Sequence, residues 1–167
     1  ILMAGQRLGM AKEADVEEAK RLMKLLNKTG AEVMKKHDLK GATDITGFGL
    51  AGHTLKMAKA SKVSIKINMK SVPLIGRTYN LADDGCIPGA SFRNLEYTEN
   101  DTSFDKELDY NLKMIAFDAQ TSGGLLMSVL PEKADAVIAD LHLVGLTSSA
   151  VIGEVSDFKH NYLVLDN

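Results

Sequence analysis

The sequence predicts an α+β domain in which a mixed, mainly antiparallel sheet packs against several helices. Short apolar strands and amphipathic helical patterns are both present, they follow no regular βαβ order, and no internal repeat is visible. The 167 residues are 45% hydrophobic and 25% charged, which is typical of one globular domain with a real core. We therefore expect a single domain over residues 1–167.

Residues 13–37 show the longest helical pattern. Apolar residues recur there at spacings of three, four and seven, with Lys and Glu between them. Gly30 interrupts this pattern, at a cost of about 1 kcal/mol relative to alanine. We expect a kink or a close contact at that glycine.

A glycine-rich stretch, residues 41–53, leads into a second predicted helix that ends near Lys59. Residues 63–69 alternate apolar and polar, which indicates a strand with one buried face. Ser71-Val72-Pro73 is a typical helix start, and that helix should run to about Asp83.

The segment from Asn94 to Asp109 is interpreted as a solvated loop. Six acidic residues and one basic residue lie between Glu96 and Asp109, which makes it the most acidic part of the chain. Asp84-Gly85 and Pro88-Gly89 are also interpreted as loops.

The C-terminal part predicts three strands and a helix. Residues 125–130 form an apolar strand, and Pro131 then opens a helix that carries Ala134, Val137, Ile138 and Leu141 on one face. Two short strands follow, near residues 151–155 and 162–165.

Composition excludes several classes of function. The formal net charge is -2 and no basic stripe is visible, so we expect no nucleic-acid partner. No apolar run is long enough to cross a bilayer. The lone Cys86 cannot form an internal disulfide and has no neighbouring His or Lys, which favours a cytoplasmic location and an inert thiol.

Residues 42–53 are the first candidate site. If a helix begins near Thr46 or Gly47, its free amides favour an anion, and Asp44 beside a phosphate requires Mg²⁺ between the two. The glycines would let a ligand approach the backbone. The candidate phosphate-binding residues of this segment are Thr43, Thr46, Gly47, Gly49 and His53.

Structural interpretations of the same segment stay open. Thr43 or Asp44 could cap the helix while the glycines relieve a tight turn. His53 could be a buried, hydrogen-bonded structural histidine instead of a phosphate ligand or an acid/base group. Neither the Rossmann nor the Walker glycine pattern is present.

Residues 118–124 are the second candidate site. Their hydroxyls and amides could bind an anion. Alternatively, they form a turn in which Asp118 and Ser122 bond to their own backbone. The candidate binding residues here are Gln120, Thr121, Ser122, Gly123 and Gly124.

Together the two segments resemble the C-terminal domain of the selenophosphate synthetase (selenide, water dikinase) family, within the superfamily of aminoimidazole ribonucleotide synthetase. Thr-Asp-Ile-Thr-Gly-Phe-Gly at 43–49 and Gln-Thr-Ser-Gly-Gly at 120–124 carry the resemblance. Weaker matches are Leu26-Asn27-Lys28 and Pro88-Gly89 followed by Arg93-Asn94. The sequence departs from the family pattern at Ala119, usually proline, and at Ala90, commonly glycine.

The resemblance implies a reaction in which ATP, selenide and water give selenophosphate, AMP and phosphate with the help of Mg²⁺. It implies that Asp44 is a metal ligand and that the fold is the family's C-terminal domain fold. It also implies a longer, two-domain enzyme that dimerises largely through its N-terminal half, which holds the catalytic Cys or selenocysteine, a lysine and further metal ligands.

None of those N-terminal groups is in this sequence, which opens at Ile1 instead of Met. We therefore expect no catalytic residue in this chain and no turnover by it alone. Two alternatives stay open. One is a domain of another ATP-using member of the superfamily, such as aminoimidazole ribonucleotide synthetase or thiamine-monophosphate kinase. The other is a non-catalytic lid or assembly domain.

Overall fold

The computed structural model describes all residues from Ile1 to Asn167. It contains eight α-helices: α1 (Leu2–Arg7), α2 (Glu13–Lys24), α3 (Lys28–Lys36), α4 (Gly49–Ser61), α5 (Thr78–Asp83), α6 (Gly89–Thr98), α7 (Tyr110–Ala116) and α8 (Pro131–Leu143). It contains six strands: β1 (Gly41–Asp44), β2 (Val63–Asn68), β3 (Thr102–Phe104), β4 (Leu125–Ser128), β5 (Gly153–Asp157) and β6 (Leu163–Asp166). Two short 3₁₀ turns span Met69–Ser71 and Glu99–Asp101.

The strands form two sheets. β1 pairs antiparallel with β4, with Asp44 opposite Leu125. The other four strands follow the order β3-β6-β2-β5, in which β2–β5 is antiparallel and β2–β6 and β3–β6 are parallel. The predicted α+β class with mixed strand pairing is therefore confirmed, but the pairing is not mainly antiparallel, because two of the four strand pairs are parallel.

The central helix is α4, which contacts β1, β2 and β6 as well as α6 and α7. Its first seven residues are all buried, and they include three small residues that allow close packing. The main core lies between this helix and the four-stranded sheet, and its fully buried members include Ala51, Ala58 and Leu163. The start of α4 is thus fixed on several sides.

A second, smaller core joins α3 to α8 through Val33, Val137 and Leu141. This division explains why the helix predicted over residues 13–37 is wrong as a single element. α2 turns Ala19 into the main core, whereas α3 turns Val33 into the small one, and the chain leaves the helical conformation at Leu25 between them. Gly30 makes the expected close contact: a Cβ there would lie 3.2 Å from the Leu125 side chain of β4.

The helix predicted from residue 71 begins late, at Thr78. Gly76 has a φ of +47°, and the Asp15 carboxylate accepts a hydrogen bond from the Arg77 amide at 3.1 Å. These two features hold residues 72–77 in a turn, so that Pro73 lies outside the helix.

The loop predicted over Asn94–Asp109 is confirmed only for residues 105–109 and is wrong for residues 94–104. α6 extends to Thr98, β3 follows, and Asp109 is the N-cap of α7, accepting a hydrogen bond from the Leu112 amide at 2.9 Å. Glu96, Glu99 and Asp101 therefore lie in α6 and the 3₁₀ turn, whereas Asp105 and Glu107 lie in the short loop before α7. The predicted elements around β2, β4, α8, β5 and β6 are confirmed within a few residues.

No helix of this chain is both long enough and apolar enough to span a bilayer.

Candidate functional site

The first candidate segment connects β1 to α4. β1 ends at Asp44, whose side chain lies on the exposed face of the strand. Thr43 faces the opposite, half-buried side, because successive residues of a strand alternate, and its hydroxyl donates to the Asp44 carbonyl at 3.2 Å. The structure therefore separates Thr43 from the face that carries Asp44.

The N-terminus of α4 has no side-chain cap. Its N-cap is Phe48, so the cap interpretation of Thr43 and Asp44 is wrong. The first turn contains no acidic residue. The amides of Leu50 and Ala51 donate to no backbone carbonyl, as expected for the first turn of a helix. The positive end of this 13-residue helix is therefore not neutralised by the chain itself.

His53 lies one turn into α4 and is only 8% exposed. Its Nε2 and the Thr46 Oγ1 are 3.0 Å apart and share a hydrogen bond. Burial and the nearby Lys56 ammonium lower the pKa of His53, and the Asp44 carboxylate opposes the shift. The hydrogen bond of this buried imidazole joins Thr46, in the connection between β1 and α4, to the helix. This contact supports the structural interpretation of His53.

The two candidate segments lie side by side, joined by backbone hydrogen bonds. The Gly123 amide donates to the Ile45 carbonyl at 2.8 Å, and the Ile45 amide donates to the Gly124 carbonyl at 3.0 Å. The Gln120 amide donates to the Thr46 carbonyl at 3.1 Å, a carbonyl that also accepts from Gly49. These bonds extend the β1–β4 ladder beyond Asp44, so the two segments form one backbone unit.

Two glycines make this contact possible. Gly49 has a φ of +69°, and a Cβ there would lie 2.8 Å from the Asp118 carbonyl oxygen and 2.9 Å from the Phe117 carbonyl carbon. Gly124 has a φ of +91°, in the left-handed region that side chains disfavour. The first residue of α4 therefore packs directly on the backbone at the end of α7.

The side chains of the second segment are arranged differently from the predicted turn. The Asp118 carboxylate lies beside Ile1 and accepts no hydrogen bond from its own backbone. Burial raises the pKa of Asp118. Thr121 is exposed, and Ser122 has a φ of +55°.

The AIR synthase related protein, C-terminal domain family matches residues 2–166. The chain belongs to this family. It is 47% identical over 158 residues to a protein named selenide, water dikinase from Porphyromonas gingivalis, covering 94% of this chain and 45% of that protein. A protein of the same name from Clostridioides difficile is 38% identical over 165 residues, covering 99% of this chain and 47% of that protein.

The chain thus spans about half the length of these curated relatives. The match extends over almost all of the described fold, so both candidate segments of this AIR synthase related C-terminal domain lie inside it. The resemblance inferred from residues 43–49 and 120–124 is confirmed at the level of the family.

Two residues near the site, Phe48 and Asn94, were not among the predicted site residues. Phe48 is 38% exposed, its ring packs on Tyr97 with centroids 5.3 Å apart, and the Lys56 Nζ lies 3.5 Å from its centroid. Asn94 of α6 donates from Nδ2 to the Gly47 and Phe117 carbonyls, at 3.0 Å each. For Asn94 the available signal was its match to the family pattern.

The capacity of this domain for a metal ion is small. No group of three His, Cys, Asp or Glu side chains is placed to hold one. Asp44 offers one exposed carboxylate with no ion-pair partner, which fits a cation shared with other ligands. A cavity of about 1770 Å³ is lined by Ile45 and residues 120–124 but not by Asp44, Thr46 or His53. Of these three residues, Asp44 lies on the open surface, Thr46 is half-buried and His53 is buried.

Proposed function

We propose that this chain is the C-terminal domain of a selenide, water dikinase and forms one wall of its phosphate site. In this proposal Asp44 supplies one ligand to Mg²⁺, and the unpaired amides at the start of α4 bind phosphate oxygens of ATP. The ion would offset the repulsion between the Asp44 carboxylate and the phosphates. The observation that carries the proposal is the exposed, unpaired Asp44 beside the uncapped start of α4, within a chain related to proteins of that name.

The chain's own residues have distinct parts in this proposal. The Thr46–His53 hydrogen bond holds the connection against α4, and the ladder to Gly123 and Gly124 holds it from the other side. Gln120, Thr121 and Ser122 are candidate phosphate contacts. Thr43 is the weakest candidate because its side chain lies on the opposite face of β1.

The solvent exposure of Asp44 affects whether this chain alone can catalyse the reaction. Phosphoryl transfer to selenide needs a site that excludes water and holds ATP and selenide together. One exposed carboxylate and one helix start do not enclose a nucleotide. We therefore propose that an N-terminal domain closes the site, and that this chain alone releases no AMP above background from ATP in the presence of Mg²⁺ and selenide.

Binding of ATP with Mg²⁺, followed by amide chemical shifts, tests the proposal. In the wild type we expect shifts at residues 46–51 that require Mg²⁺. Asp44→Asn should remove the dependence on Mg²⁺, because the ion loses its protein ligand. Asp135→Asn makes the same charge change at an exposed site on α8 and should leave the shifts unchanged.

Shifts confined to other parts of the chain would contradict the proposal and favour a lid or assembly domain without a nucleotide site. Binding that is equally strong without Mg²⁺ in the wild type would remove the metal role of Asp44.

A further inference from the structure

Asn94 is a buried polar residue that donates hydrogen bonds to residues outside its own helix. Its side chain is 8% exposed on the inner face of α6, and its Nδ2 lies 3.0 Å from both the Gly47 and the Phe117 carbonyl oxygens. Both partners can only accept hydrogen bonds, so the amide must turn its NH₂ group towards them. The orientation of this side chain follows from the chemistry of its partners.

The two carbonyls belong to different parts of the candidate site. Gly47 lies in the connection between β1 and α4, and Phe117 lies between α7 and residues 118–124. Asn94 thus ties together the same two segments that meet at Gly49. Because a trans peptide places its C=O and N–H on opposite sides, a Gly47 carbonyl turned towards Asn94 directs the Phe48 amide away from it. That amide donates to no backbone carbonyl.

The neighbours of Asn94 on the inner face of α6 do not make such contacts. Ser91 is fully buried and its hydroxyl has no hydrogen-bond partner. The Thr98 hydroxyl donates to the Leu95 carbonyl within the same helix, at 3.0 Å. The link to the site is therefore specific to Asn94 and is not a general property of this packed face.

We propose that Asn94 is a positioning residue that fixes the Gly47–Phe48 peptide and so aims the first amides of α4 at the bound phosphate. The ligand part of this inference rests on the function proposed above. The positioning itself is a property of the free chain. Asn94 touches neither nucleotide nor metal in this role and acts through the backbone of residues 47–49.

Asn94→Asp is the sharpest test, because the carboxyl group has the same shape as the amide. As a carboxylate it repels both carbonyls, and when protonated it can donate one hydrogen bond. At neutral pH we expect the amide signals of Gly47, Phe48 and Gly49 to shift in the free chain. They should move back towards wild-type positions as the pH falls, and a purely structural role would show no such local recovery. The affinity for ATP with Mg²⁺ should fall about tenfold, because the unpaired amides at the start of α4 are no longer held towards the phosphate.

Ser91→Ala is the matched control. It removes a buried polar group from the same face of α6 without breaking a hydrogen bond, and should change neither readout. Asn94→Ala serves as a second variant if the carboxylate prevents folding, and it should displace the same amide signals without recovery at low pH.

The outcomes separate this inference from the proposed function. Unmoved signals at residues 47–49 in a folded Asn94 variant would overturn the positioning role, whether or not the wild type binds ATP. Failure of both Asn94 variants to fold would also overturn it, by making Asn94 a general stability residue. A wild type that binds no ATP, with signals that still move in the variants, would sink the proposed function and the ligand part of the inference alone.

Discussion

The helices α4 and α8 have the same length, 13 residues, and neither has a side-chain cap, yet their N-termini differ. α8 begins with Pro131 and carries Glu132 in its first turn, so a carboxylate of the chain itself faces the positive end of the helix. The first turn of α4 contains Gly49 and no acidic residue. Of these two helices, α4 is the one whose first turn carries no carboxylate at its positive end.

The two helix starts also differ in how firmly they are held. The first seven residues of α4 are buried, and its first turn packs on the backbone of residues 116–118. Only Val137 and Leu141 of α8 are buried, and both lie beyond its first turn. The first amides of α8 are therefore not held in one direction by buried contacts of the first turn. The comparison indicates that α4 is built to present its amides in one orientation.

The largest expected effect comes from Gly49→Ala, which adds a Cβ at the close contact at the start of α4. The added Cβ would lie 2.8 Å from the Asp118 carbonyl oxygen, and the backbone would keep an unfavourable positive φ. We expect a loss of about 3 kcal/mol or more in the free energy of unfolding, measured by urea denaturation.

Gly145→Ala, at the end of α8, is the matched control for Gly49→Ala. Gly145 has a φ of +89° but no atom within 4 Å of its added Cβ, so it isolates the conformational cost, about 1–2 kcal/mol. Equal losses in the two variants would show that residues 116–118 impose no steric cost on a side chain at position 49.

A smaller effect is expected when an acidic residue is placed beside α4, as Glu132 is beside α8. Gly47→Asp introduces a carboxylate where no atom lies within 4 Å of the new Cβ. Like charges close together at a surface cost about 1 kcal/mol or more, so the affinity for ATP with Mg²⁺ should fall roughly fivefold or more in a binding titration.

Gly47→Asn has the same shape without the charge and separates repulsion from bulk. An equal loss of affinity in the two variants would attribute the effect to size, and the electrostatic contrast between α4 and α8 would then not govern binding.

The sequence predicted those elements whose buried face is apolar, such as β2 and α8. It failed at α6, where the pattern is inverted. The buried residues of that helix are Ser91, Asn94 and Thr98, whereas Phe92 and Tyr97 are exposed. An analysis based on apolar periodicity cannot detect a helix that turns small polar residues inwards. On this polar face, Asn94 donates to two backbone carbonyls outside its own helix.

The two segments of the candidate site were predicted from the sequence, but the contact between them was not. Glycines and hydroxyls within a short stretch identified residues 42–53 and 118–124 separately. Their pairing through Ile45 and Gly123 depends on the register of β1 against β4, and a single sequence does not specify that register. The cap predicted at Thr43 or Asp44 failed because Ile45–Phe48 continue the ladder and the turn, which moves the helix start to Gly49.

The smallest expected effect concerns the pH dependence of stability, and it tests how well the region around His53 excludes water. Burial and Lys56 lower the pKa of His53 in the folded chain below its ordinary value of 6.5. The unfolded chain therefore takes up a proton first as the pH falls, and the free energy of unfolding decreases below about pH 6.5. This stability is fully present at higher pH.

His53→Gln should lose less stability than the wild type between about pH 7.5 and about pH 5.5, measured by urea denaturation. His160→Gln changes an exposed histidine and should keep the wild-type loss. If His53→Gln kept it too, the imidazole would be as well solvated as a surface histidine, and the buried first turn that distinguishes α4 from α8 would be open to water.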